Sequence, residues 1–312
     1  MEQKREPLFK RLWRQYNIIF YRGKFPFLPY TWLPLSFVFA FLAALASYFI
    51  FRCIALAVLY FVLMWLFFAI GIPYYFMEKR LTEIEKALPY FLSQLSSALR
   101  SGMGLDSALN EVAKSLGGPL GEEVRRTLAE INKGITMGEA FRRAGERIGT
   151  KFVRRVFRIL VSAVEQGGRL ADVLDEIADN AQEIVTLRME REAATTMPAM
   201  FIVAAGVLIA PIVFGITITL YKLMYNQSAS VGFIKKGTGV VPSLFLKIIL
   251  FYLAIEAFLS ALLIAKMRWG KLGKGFVIAP VFAYVAPIVA IFAAKMMAGL
   301  LAAQGASAVM IL

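Results

Sequence analysis

Residues 197–221 read MPAMFIVAAGVLIAPIVFGITITLY, a run without a single charged side chain. An α-helix rises 1.5 Å per residue, so about 20 apolar residues cross the ~30 Å hydrocarbon core of a bilayer. Four other apolar runs are long enough to do the same. They lie near residues 31–51, 53–76, 242–265 and 276–298. The sequence therefore predicts an all-α, polytopic membrane protein with about five transmembrane helices.

The boundary between the first two runs leaves the topology open. Only Arg52 and its immediate neighbours separate them. The two runs must therefore form a tight hairpin, or one of them is a shorter re-entrant pair.

Composition excludes most enzyme classes. Hydrophobic residues make up 59% of the 312 residues and the mean hydropathy is +0.65, against ~45–50% apolar residues in soluble domains. Histidine is absent and Cys53 is the single cysteine. These counts exclude disulfide frameworks, zinc sites built on Cys or His, and Ser-His or Cys-His nucleophiles. We expect a non-enzymatic protein without a cofactor or a bound metal.

The net charge of +14 is unevenly distributed. Residues 77–196 hold 18 basic and 18 acidic residues, whereas residues 1–30 hold seven basic and two acidic ones. A neutral block argues against nucleic acid as a partner, and basic flanks beside apolar runs are membrane-orientation signals. They predict a multi-pass protein of the inner (cytoplasmic) membrane with a cytosolic N-terminus. The predicted domains are a basic segment at 1–30, a transmembrane hairpin at 31–76, a cytosolic helical domain at 77–196 and three spans within 197–312.

The N-terminal segment has helical amphipathicity. Leu8, Leu12, Tyr16 and Ile19 share one face, while the basic residues take the other. Such a helix suits the surface of an anionic leaflet, which makes membrane lipid a predicted partner. A plain positively charged tail that only sets the orientation is the alternative.

The neutral block predicts a six-helix bundle. Its apolar residues recur at helical spacing, and glycines interrupt the pattern. The segment that begins at Gly102 is similar to those that begin at Gly134 and Gly167, at offsets of 32 and 65 residues. We interpret the block as three helical hairpins, with structural turns at Gly102, Gly134, Gly167 and Gly168. The alternative to a true repeat is that any bundle of six similar helices has some periodicity. Separately, Thr136 with Glu139 predicts a capping box at the start of one helix.

Four short stretches in this block carry a resemblance to a known family. They are residues 88–95 (LPYFLSQL), 100–105 (RSGMGL), 134–137 (GITM) and 165–170 (EQGGRL). Their order between membrane spans resembles the F domain of the inner-membrane platform proteins of type II secretion systems and type IV pili. The chain has one such domain after an N-terminal pair of spans, which is closest to the short Tad-like or archaeal pilus members.

The resemblance implies a membrane platform for a pilus-like filament or a secretion pseudopilus. It implies two partners, a hexameric secretion ATPase in the cytosol and pilin-like subunits in the membrane. It also implies a homo-oligomer or a pairing with a second platform protein. ATP hydrolysis would belong to the partner, because the chain has no phosphate-binding loop motif.

Three groups of charged residues are candidate partner contacts. Glu256 is the sole acid within an apolar span, where it must be paired with a partner cation or be protonated within the bundle. Glu165 either caps the next helix or contacts the ATPase. The arginines of 142–158 form either a solvated face paired with nearby acids or a docking face for an acidic partner. The arginine candidates are Arg142, Arg143, Arg154 and Arg155.

A polytopic transporter with a cytosolic regulatory domain is the alternative function. Pro211, Pro280 and Pro287 lie inside predicted spans, where proline loosens a helix. Transporters with broken helices share this feature. The large cytosolic block and the single acid within the spans argue against this function.

Overall fold

The computed structural model describes residues 8–51, 54–166, 170–230, 242–270 and 272–309. Within these ranges the regular structure is helical and no strand occurs, which confirms the all-α class. Arg52, Gly167 and Gly168 lie outside the described residues. The helices are α1 (Leu8–Gly23), α2 (Pro29–Phe51), α3 (Ile54–Leu66), α4 (Ile72–Arg100), α5 (Leu105–Ser115), α6 (Gly118–Ile131), α7 (Met137–Ile148), α8 (Lys151–Gln166), α9 (Leu170–Ala194), α10 (Thr196–Val203), α11 (Ala210–Ser230), α12 (Pro242–Trp269) and α13 (Leu272–Val309).

Five helical stretches in the described residues are long and apolar enough to cross a membrane, which confirms the predicted number. They are Pro29–Ile50, Ile54–Arg100, Leu170–Tyr225, Leu244–Trp269 and Gly273–Leu301. Single π-helical turns at Phe67–Gly71 and Ala204–Ile209 interrupt the second and third of them.

The described residues divide into two compact units. The bundle unit takes its residues from 1–29 and 73–191, and the membrane unit takes its residues from 30–72 and 192–312. In the bundle unit, the apolar stripes of α4 to α9 meet in one core. Leu88, Phe91, Leu109 and Leu174 are fully buried there. Burial of these stripes is the main source of the bundle's stability, because short helices are marginal alone.

Two glycine turns give the bundle its hairpin geometry. Gly102 and Gly134 have φ values of +88° and +89°, a left-handed conformation that only glycine adopts at low cost. At both positions the space around a Cβ would be empty. The backbone conformation, and not crowding, therefore requires glycine at these turns.

In the membrane unit, side chains from neighbouring helices compensate for interrupted backbone hydrogen bonds. Proline has no N–H, so Pro287 leaves the carbonyl of Ala283, one turn earlier, without its usual donor. The buried Tyr60 hydroxyl donates to that carbonyl at 3.1 Å. At the first π-helical turn, Ile72 donates to Phe67 instead of Phe68. The indole N–H of Trp32 donates to the Phe68 carbonyl at 2.8 Å. At Pro287 the helix is therefore not simply loosened, because Tyr60 of α3 bonds to the carbonyl that the proline leaves without a donor.

Candidate functional site

Helices α7 and α8 form a tight hairpin around a left-handed glycine. Gly149 ends α7 with φ +80°. A Cβ at Gly145 would lie 3.3 Å from Cγ of Arg154, so the absence of a side chain lets α8 approach closely. Below this contact the rings of Phe141 and Phe157 meet edge to face, with centroids 5.3 Å apart. The two helices therefore hold their outward-facing side chains at fixed positions relative to one another.

An open groove of about 780 Å³ runs along this hairpin. Its apolar floor includes Phe141, Phe157 and Val161, and its other lining side chains are mostly charged. The charged residues that line it are Glu139, Arg142, Glu146, Arg154, Arg158 and Glu165. The groove thus brings together three of the predicted partner contacts, namely Arg142 of α7 and Arg154 and Glu165 of α8. Of the other candidates, Arg143 and Arg155 are exposed on the same two helices.

The α7 side of the groove is internally paired. Arg142 donates to both carboxylate oxygens of Glu139 at 2.8 Å, and Nε of Arg143 donates to the same carboxylate at 2.8 Å. These bonds, that from Arg143 foremost, hold the pKa of Glu139 below its usual range. The bonds between Arg142 and Glu139 also raise the pKa of Arg142. The predicted capping box is wrong, since the Thr136 side chain makes no cap hydrogen bond. Charge-assisted bonds to two guanidinium groups are stronger than a bond to a neutral backbone N–H.

The α8 side of the groove has no such compensation. Arg154, Arg155 and Arg158 are exposed, and none of them forms an ion pair with a described residue. The guanidinium of Arg154 donates only weakly to the carbonyls of Gly149 and Thr150, at 3.4 and 3.5 Å. The hairpin therefore presents a positive α8 face beside a neutralised α7 face.

One arginine of the same sequence cluster has a structural role. Arg147 contacts Glu130 at 2.7 Å and Glu123 at 3.3 Å, and its side chain is only 16% exposed. It joins α7 to α6 rather than facing the groove. The sequence alone placed it with the other arginines, because its partners are 17 and 24 residues away.

Glu165 and Glu256 lie in different units of the fold. Glu165 is exposed in the last turn of α8 and lines the groove. Its predicted capping of the next helix stays a prediction, because residues 167–169 lie outside the described ranges. Glu256 lies on α12 in the membrane unit, and its Oε2 atom is buried without a hydrogen-bond partner among the described residues. No group of three or more Asp, Glu, Cys or His side chains in the described chain could hold a metal ion.

The last turns of α1 pack against the bundle, which sequence reasoning missed. Phe20 is 5% exposed, and Nζ of Lys24 lies 2.6 Å from the Glu122 carboxylate. That bond is the main reason why the pKa of Glu122 is lowered. Arg126 donates to the Tyr21 hydroxyl at 3.0 Å. The end of α1 is therefore held by protein contacts, whereas both sequence alternatives placed the segment on lipid or in solvent.

Comparison with known proteins finds a family that is similar to part of this chain. Residues 91–218 match the family model of type II secretion system (T2SS) protein F. An uncharacterized protein of Methanocaldococcus jannaschii is 26% identical over 106 residues, which cover 34% of this chain and 18% of that protein. A second uncharacterized protein of that organism is 24% identical over 204 residues, 64% of this chain and 68% of the relative. No solved structure matches. Residues 91–218 are thus similar to the type II secretion system protein F family, which agrees with the resemblance expected from the sequence.

Proposed function

We propose that this chain is the platform protein of a type IV pilus-like filament or of a type II secretion pseudopilus. It couples a hexameric cytosolic ATPase to pilin-like subunits in the inner membrane. The N-terminus and the bundle unit lie in the cytosol. The observation that carries the proposal is the uncompensated arginine face of α8, which borders an open groove within the protein F domain.

The α8 face provides the features of a docking surface for an acidic partner. Arg154 and Arg158 are four residues apart on one side of the helix, with Arg155 beside them. Charges of one sign around a groove steer an oppositely charged partner and set its register. The exposed pairs that Arg142 and Arg143 make with Glu139 contribute little to stability, so they can exchange partners when the ATPase binds.

Glu165 and the α7 arginines complete the proposed contact. A surface of one sign alone binds acidic partners without discrimination, whereas an acid at one end restricts the orientation. Arg154 lies near the start of α8 and Glu165 in its last turn, so the two side chains line opposite ends of the groove. A basic residue of the ATPase that faces Glu165 would fix which way round the partner lies.

Glu256 is the proposed contact with a pilin subunit. A carboxylate in a membrane span is costly unless it has a partner. Its buried Oε2 atom lacks a donor within the described residues, so a cation from another chain has an acceptor to bind. The amino group at the N-terminus of a pilin helix is a donor of the required charge.

The ATPase contact can be tested by charge reversal with a matched control. The test variant carries Arg154→Glu, Arg155→Glu and Arg158→Glu. The control carries Lys86→Glu, Lys114→Glu and Lys133→Glu, three exposed lysines elsewhere on the bundle unit. We expect only the test variant to lose co-purification with the secretion ATPase from detergent-solubilised membranes. Equal binding by both variants would exclude the α8 face, and uptake of a solute by the chain alone in liposomes would favour a transporter.

A further inference from the structure

A second, smaller cavity lies within the bundle unit, between the end of α1 and helices α4, α6 and α7. Its volume is about 300 Å³. The aromatic rings of Phe20 and Phe25 line it together with the aliphatic side chains of Leu81, Ile84 and Ile148. Its basic lining residues are Arg22, Lys24, Arg80, Arg126 and Arg147, and Glu123 is the one acid that lines it.

The ion pairs around this cavity leave an excess of positive charge. Lys24 and Arg80 share Glu122, at 2.6 and 2.9 Å. Arg147 bonds to Glu123 and Glu130, and Glu130 also lies 3.8 Å from Arg126. These four cations already use all three carboxylates. The fifth basic residue of the cavity therefore adds to an uncompensated charge.

That fifth residue is Arg22. Its guanidinium donates to the backbone carbonyl of Glu146 at 3.1 Å and forms no ion pair with a described residue. It lies directly over Gly149, where an added Cβ would overlap the guanidinium. Burial, followed by repulsion from Arg154, lowers the pKa of Arg22. The fold thus holds a partly desolvated guanidinium at the cavity without a counter-ion.

The cavity is also close to the membrane along the chain. Lys24 precedes Pro29, the first residue of a membrane-spanning stretch, by five residues. Arg80 follows Phe76, the end of the second apolar run, by four residues, or about 6 Å of helix. The headgroup layer of a bilayer is several ångströms thick on each side. Both segments of the cavity wall are therefore only a few residues along the chain from apolar stretches long enough to cross a membrane.

We propose that this cavity binds the phosphate group of an anionic membrane lipid, with Arg22 as its main contact. Planar guanidinium groups bind phosphate oxygens with two hydrogen bonds, and basic pockets beside membrane spans bind anionic headgroups. The rings of Phe20 and Phe25 pack against the glycerol part of the lipid. This site needs neither the ATPase nor the pilin, so it goes beyond the proposed function.

The test measures lipid retention by the full-length chain in nanodiscs. The discs contain phosphatidylcholine with a minor fraction of phosphatidylglycerol, and native mass spectrometry counts the lipids that remain bound. We expect Arg22→Gln to lower phosphatidylglycerol retention by about fivefold, the effect of one cation near a membrane surface. Lys114→Gln, which removes an exposed cation outside both this cavity and the α8 face, should leave retention unchanged. Equal retention by Arg22→Gln and the wild type would overturn the proposal.

Two further measurements distinguish lipid binding from a structural role of Arg22 and from the binding of a free anion. Arg22→Lys retains the charge but loses the planar pair of donors, so we expect it to retain more lipid than Arg22→Gln and less than the wild type. Loss of lipid in both Arg22 variants, together with a lower melting temperature of the helical circular dichroism, would overturn the proposal in favour of a structural role. Glycerol phosphate in solution should compete poorly. Displacement of the lipid by equimolar glycerol phosphate would show that the cavity takes a free anion instead.

Discussion

Replacement of Gly134 tests whether the turn between α6 and α7 needs glycine for its backbone alone. Gly134 has φ +89°, and a Cβ there would meet nothing within 4 Å. Gly134→Ala therefore creates no clash, and its cost is that of holding an L-residue in the left-handed region, about 1–2 kcal/mol. Gly104 is the matched control, because its surroundings are equally empty and its φ is −64°.

The control fixes the size of the expected difference. Gly104→Ala removes freedom from the unfolded chain, which stabilises by about 0.4–1 kcal/mol. It also replaces a fair N-cap residue with a poor one, which costs a few tenths to about 1 kcal/mol. The two effects nearly cancel. The same restriction of the unfolded chain offsets part of the left-handed cost of Gly134→Ala. We therefore expect Gly134→Ala to be less stable than Gly104→Ala by about 1 kcal/mol.

The assay is proteolysis of the full-length protein in detergent over a series of urea concentrations, with cleavage sites in the bundle unit. The midpoint should fall for Gly134→Ala and stay near the wild-type value for Gly104→Ala. Gly134→Asn should lie between them, because asparagine tolerates the left-handed region better than alanine. Equal midpoints for the two alanine variants would refute the assignment of a backbone role to Gly134.

Three further predictions concern single side chains in the two units. Tyr60→Phe should destabilise the membrane unit by about 1 kcal/mol, because it leaves the buried carbonyl unbonded; thermal stability in detergent measures this, with Tyr284→Phe as the control. The bond with Lys24 lowers the folded-state pKa of Glu122. The stabilisation that this bond gives to the folded protein is therefore present at neutral pH, and it is lost as the pH falls through the folded-state pKa. Amide exchange in α1, corrected for intrinsic rates, should therefore accelerate as the pH falls below the ordinary glutamate pKa of 4.5, and Glu122→Gln should already show fast exchange at pH 7. Glu256→Gln should reduce surface filaments while the protein's abundance in the membrane stays normal, and unchanged filaments would exclude the pilin contact.

The number of spans and the stripes of the bundle could be predicted because each depends on neighbouring residues alone. An uncharged run of about 25 residues has few alternatives to a membrane helix, since its backbone groups must bond to each other. Likewise, the apolar residues of α5 or α8 recur at helical spacing whatever the rest of the chain does. The turns at Gly102 and Gly134 belong to the same class, because a helix end that needs φ > 0 selects glycine locally.

The pairing of the α7 arginines and the position of α1 could not be predicted in this way. Arg143 and Arg147 are one turn apart on α7, yet Arg143 pairs within its helix and Arg147 pairs with α6. That difference depends on tertiary packing, about which helical periodicity contains no information. The contact of Arg22 with Glu146 spans 124 residues. The one local signal for this contact is Gly149, because a glycine that ends a helix exposes backbone carbonyls to which a long side chain can bond.

The α8 face is the feature for which bundle stability offers no explanation. Lys151, Arg154, Arg155 and Arg158 form four like-charge pairs at spacings of three or four residues, and each such pair destabilises a helix by about 0.2–0.5 kcal/mol. Helix α7 shows the arrangement that avoids this cost, with its acids placed to pair with its arginines. No described residue of another helix supplies the missing acids to Arg154, Arg155 or Arg158. The proposed docking of an acidic partner surface would account for a face that destabilises its own helix beside an open groove, because the partner would supply the counter-charges that the fold omits.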